Sequence, residues 1–175
     1  FSIQKLIGTI IILFGIFFGL LEAIVVVYLR QLFGSGNSLM NQRITSDDIA
    51  LTLGFITFLK PSASVLITQS QRLLSLELWR ELSTLAMLVT LGLVAGKTTK
   101  ERLAYFLLVF GIWDIFYYVF LRIATGWPAG FLDMDVYFLI PAAWIGPVAT
   151  PIVISSIMIL LAFFLLSERS KNHEL

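Results

Sequence analysis

Asp114 sits inside a long apolar run, twelve residues from Arg102 and twelve from Gly126. On an α-helix that spacing puts its carboxyl ~18 Å from either end. A carboxylate at the centre of a bilayer costs about 2.5 to 3.5 kcal/mol on an insertion scale unless it is paired, protonated or wet. Tyr117, Tyr118 and Arg122 follow at i+3, i+4 and i+8 and share its helix face. A second group, Glu77-Leu-Trp-Arg80-Glu81 with Thr84, falls on one face through i+3, i+4 and i+7 spacing. Glu22 stands three and seven residues beyond Gly19 and Gly15. Small residues at that spacing let helix backbones approach, so Glu22 belongs to a packing face rather than a lipid face. Arg30 continues that face, and Asp133 and Asp135 lie in the connection beyond Arg122.

Carboxylates without histidine or cysteine suit protons or a hard cation such as Mg²⁺, Ca²⁺ or Mn²⁺ rather than zinc or copper. The candidate ligand-binding residues are therefore Glu22, Glu77, Arg80, Glu81, Asp114, Tyr118 and Arg122, with Glu22, Glu77, Glu81 and Asp114 as the candidate metal ligands. Arg80 and Arg122 would tune the carboxyls or receive an anionic group. The function expected from this set is an outward-facing polar cavity that binds or transports a cation or small polar ligand. Two rivals stand beside it: an enzyme acting on a lipid-like substrate, with a carboxylate as general acid or base, and an accessory subunit of a larger membrane complex. Each residue also has a structural use: ion pairing within or between helices for the acids, aromatic packing for the tyrosines, and snorkelling for Arg30 and Arg122.

Composition narrows the field. Hydrophobic residues make up 58% of 175, which a water-soluble domain of this size could not hide. The expected surroundings are a lipid bilayer. A net charge of +1 argues against nucleic acid as a partner. There is no cysteine, so no thiolate-bound metal or disulfide is expected, and the single histidine, His173, lies in the polar tail, away from any span that could hold haem. No HExxH or phosphate loop accompanies the acids.

These residues need elements to hold them. The fold expected is all-α: one membrane domain with a bundle of about four transmembrane helices over residues 6–29, 72–95, 103–125 and 148–166. The first run is longer than a signal-peptide core and lacks an A-x-A pattern before Arg30, so it is expected to be retained. Two shorter runs, 47–59 and 131–140, are too short to cross. They are expected as interfacial or re-entrant helices, the first started by Thr45-Ser46-Asp47-Asp48 and stopped by Lys60-Pro61. Lys97, Lys100 and Arg102, together with Lys5, Arg169 and Lys171, predict cytoplasmic termini and a cytoplasmic 97–102 turn. Arg43, Lys60 and Arg72 in the first outer connection run against that rule.

The runs Glu77-Leu-Trp-Arg-Glu81, Trp113-Asp-Ile-Phe-Tyr-Tyr118, Gly126-Trp-Pro128 and Phe138-Leu-Ile-Pro141 resemble a family of small bacterial multi-span membrane proteins. The resemblance covers residues 76–151 and implies a bacterial inner-membrane location. It brings no reaction and no substrate, and a homo-oligomer or a larger complex stays open.

Overall fold

The computed structural model describes residues 3–33, 44–68 and 70–172, with side chains over 6–31, 44–68 and 70–167. Arg43 and His173 lie outside the described residues, and the side chains of Lys5, Arg169 and Lys171 lie outside the described side chains. The helices are α1 (Ile3–Phe33), a single turn α2 (Val65–Thr68), α3 (Gln71–Ala95), α4 (Thr99–Thr125) and α5 (Ala149–Asn172). All but α2 are long and apolar enough to cross a membrane. Their outer faces leave Phe17, Trp79, Val94, Ile123 and Leu160 more than half exposed, an apolar exterior of the kind that lipid solvates.

Helix α4 is the centre. It packs against α1, α3 and α5, whereas no comparable packing joins α3 to α5. Glycine makes the contacts close. A Cβ added to Gly19 would lie 2.9 Å from the Trp113 carbonyl oxygen and from the Tyr117 nitrogen, so α1 and α4 touch backbone to backbone. Gly111 does the same for α4 and α5: a Cβ there would meet the Ser155 carbonyl oxygen at 2.7 Å. The α3–α4 turn is set by Thr98, whose hydroxyl accepts from the Glu101 N–H, and α4 stops at Gly126, whose φ of 75° is the left-handed value that favours glycine.

The two short runs are not helices. Residues 47–59 form a hairpin of β1 (Ile49–Leu53) and β2 (Ile56–Leu59), and residues 131–140 contain β3 (Met134–Phe138). With β4 (Trp144–Pro147) they make one antiparallel sheet in the order β1-β2-β4-β3. This corrects the all-α expectation. Length had excluded a span at both places, but strand propensity was not weighed against helix. Ile49, Thr52, Ile56, Thr57 and Phe58 are β-formers, and Gly54, with φ of 59°, takes the first central position of a two-residue turn pairing Leu53 with Ile56. The local start at Thr45 was legible: the Thr45 N–H and hydroxyl both donate to Asp48, at 2.9 and 2.8 Å. That cap opens one 3₁₀ turn, Ser46–Asp48, which leads into a strand instead of a helix.

The pairing of β2 with β4 joins the connection before α3 to the one after α4. The sheet thereby covers the end of the bundle where α1 and α4 finish and α3 and α5 begin. Leu59, Ala63, Leu74, Leu139, Ala143 and Ile145 form a small apolar core beneath it.

Candidate functional site

A cavity of about 360 Å³ lies between α3 and α5, with α4 as its floor and the sheet as its cover. Phe106, Phe110, Asp114 and Tyr117 recur at helical spacing, so one stripe of α4 faces the space that α3 and α5 leave open. That volume is in the range of small-molecule sites.

Its polar groups come from every neighbouring element. Glu22 of α1 is 6% exposed; it accepts from the Arg80 guanidinium and, at 3.3 Å, from the Thr84 hydroxyl of α3. Arg80 Nε also donates to Glu77, one turn earlier on its own helix, at 2.9 Å. Glu81 takes the Leu139 N–H on both carboxyl oxygens, at 3.0 and 2.9 Å, which ties α3 to the segment just after β3. Asp114 accepts from the Ser155 hydroxyl of α5 at 2.7 Å. Tyr118 donates to Asp135 of β3 at 2.9 Å, and Asp135 pairs with Arg30 at 3.6 Å. The Arg30 guanidinium in turn lies 4.0 Å over the Trp127 ring.

Burial pushes the Asp135 carboxyl up to about 6, against the opposing pull of the Arg30 charge and of the Tyr118 hydrogen bond. This group, in the sheet and outside the four long helices, can therefore exchange a proton near neutral pH. Tyr137 on the same strand donates to the Pro147 carbonyl at 2.6 Å, and burial drives its hydroxyl up to about 12, so it stays neutral.

Of the residues singled out by spacing, Glu22, Arg80, Glu81, Asp114 and Tyr118 line this one cavity. Glu77 stands behind it, bonded to Arg80 and absent from the lining. Arg122 is elsewhere: its guanidinium donates to the carbonyls of Pro128 and, at 3.0 Å, Ala129. The reason is geometric. It sits in the last turn of α4, where the chain folds back within its reach. The four proposed metal ligands do not gather either: Glu22 and Glu77 are both held by Arg80, Glu81 by the Leu139 N–H and Asp114 by Ser155. Among the described residues no three His, Cys, Asp or Glu side chains are placed to hold a metal ion.

Asp135, which the sequence places only in the connection beyond Arg122, belongs to the site. Asp133 of the same connection serves its loop, accepting the Ala129 N–H at 2.7 Å. Ser155, Trp113 and Trp144 also line the cavity and had no sequence signal beyond lying in apolar runs. Compared with family models, curated proteins and solved structures, the chain matches none, so the family resemblance has no matching model behind it.

Proposed function

We propose that this chain is a multi-pass membrane protein whose covered cavity binds, or moves, a cation or small polar ligand. The observation that carries the reading is a charge imbalance in one cavity. Four carboxyl side chains, Glu22, Glu81, Asp114 and Asp135, line it and two guanidiniums answer them: Arg80 pairs with Glu22, and Arg30, behind the lining, pairs with Asp135, which leaves Glu81 and Asp114 with hydrogen bonds but no ion pair among the described residues. Uncompensated carboxylates away from water are costly, so they call for protons or for a positively charged ligand. The turn bearing Lys97, Lys100 and Arg102 lies at the end of the bundle opposite the sheet. The positive-inside rule then puts the cavity on the outward side and both termini in the cytoplasm.

The test is thermal unfolding of the purified protein across a panel of mono- and divalent cations and pH values, for wild type, Asp114→Asn and Glu22→Gln. A ligand that binds only the folded state at a hundred times its Kd adds about 2.7 kcal/mol of stability. A cation-specific rise in wild type that both substitutions remove supports the reading. Uniform destabilisation with no ligand response means that the acids only hold helices together.

A further inference from the structure

We propose that the ligand of this cavity is a small amphipathic organic cation, an ammonium head on an apolar body, admitted sideways between α3 and α5. The inference rests on the reading above and names its ligand class.

Three observations converge on it. The four lining acids outnumber Arg80 and Arg30, the two guanidiniums that pair with them, yet they are spread over separate elements, and among the described residues none group as metal ligands do. A charge that is spread over a large, weakly hydrated group suits dispersed acids better than a bare ion, which needs several oxygens at once. Aromatic rings make up much of the remaining wall, which also carries aliphatic side chains: Phe110, Trp113, Tyr117, Phe138 and Trp144 all line the space. Aromatic faces attract ammonium groups by cation–π interaction and pack against apolar bodies as well.

The third observation is the groove itself. Without packing between α3 and α5, the cavity continues to the helix exterior along a rim that includes Ile154, 48% exposed. A ligand with an apolar body can enter there from lipid without crossing the sheet. Its polar end would lie toward Asp114 and Asp135, and its apolar end toward Phe106, Phe110 and Met158, which line the deeper part. The indole N–H groups of Trp113 and Trp144 are buried and have no acceptor among the described residues, so an oxygen on the ligand would find donors.

The experiment compares two isosteres that differ only in charge, phenyltrimethylammonium and tert-butylbenzene. Each is titrated against the full chain in lipid nanodiscs, with the thermal midpoint and tryptophan fluorescence as readouts. The cation is expected to bind at least tenfold more tightly than its neutral twin. Asp114→Asn should weaken the cation tenfold or more and leave the neutral compound unchanged. If that variant does not fold, Ile154→Phe at the groove rim serves instead, and it should weaken the cation without lowering the midpoint of the unliganded protein. Equal binding of the two isosteres overturns the proposal. So does a midpoint shift with Mg²⁺, Ca²⁺ or Na⁺ but not with the organic cation, in which case the cation-binding reading of the cavity survives. No shift with any cation overturns both.

Discussion

Away from the sheet, the bundle closes on apolar side chains and glycine. Ile11, Leu88, Leu108, Val109 and Ala162 are all but inaccessible there, and a Cβ on Gly92 would meet the Arg102 carbonyl oxygen and the Phe106 Cα, each at 3.0 Å. Toward the sheet the same helices are held by charges and hydrogen bonds: Glu22 with Arg80, Glu81 with Leu139, Asp114 with Ser155 and Asp135 with Tyr118 and Arg30. Close packing leaves no space, whereas polar side chains reach across gaps and leave some. The cavity lies in the second half, between α3 and α5, where long side chains reach across; α1 and α5 still touch α4 backbone to backbone beside it, at Gly19 and Gly111.

The largest effect should come from breaking the polar half at Arg80, the guanidinium that holds two of its acids. Arg80→Leu leaves Glu22 and Glu77 without their cation, and stranding one member of a buried pair costs about 3 to 5 kcal/mol. A chemical-denaturation midpoint close to wild type would show that those acids are solvated instead.

Protonation probes the same half more gently. Asp135 has a folded value of about 6, above its ordinary 3.8, so between those values the folded chain holds a proton that the unfolded chain has released. The Asp135 contribution to stability therefore falls as pH rises from about 4 to about 6, by about 3 kcal/mol, and is flat beyond. Asp135→Asn should remove that slope, as read from melting midpoints at each pH. A slope that survives the substitution assigns it to other groups.

The packed half is tested by crowding. Gly92→Val should destabilise by about 1 to 3 kcal/mol, because the Arg102 carbonyl oxygen and the Phe106 Cα would lie 3.0 Å from its Cβ and are backbone atoms that cannot turn aside. Gly8→Ala, with nothing within 4 Å, is the control and should be neutral or slightly stabilising by the same assay. Equal effects at the two glycines would mean that close approach does not hold this half.

The smallest change is expected at Arg122→Gln, within about 1 kcal/mol, since the residue serves loop carbonyls that water can also satisfy. Ligand titrations should not move at all. A loss of binding in this variant would return Arg122 to the site.

Spacing along each helix was enough to find most of the polar half. Glu22 beyond its two glycines, the Glu77 to Thr84 face and the Asp114 to Tyr118 face all follow from 3.6 residues per turn, and each face does turn toward another helix. Register between helices was beyond that reasoning. That Glu22 meets Arg80 rather than Arg122, or that Ser155 meets Asp114, depends on how far one helix slides along another, which no single helix records.

What the sequence by itself determined is local: four apolar runs of spanning length, their caps and turns, and which residues of each run share a face. Hydrophobicity and periodicity are properties of neighbouring residues, so they can be read along the chain. Tertiary structure decided the rest. Two local strand pairs, β1 with β2 and β3 with β4, became one sheet because β2 paired with β4 across α3 and α4. That sheet brought Asp135 onto Tyr118 and Arg30, and its edge met Glu81 through Leu139. A cavity lined by residues 22 to 158 exists only once those distant segments are packed, because enclosure is a property of the assembled surface and not of any stretch of chain.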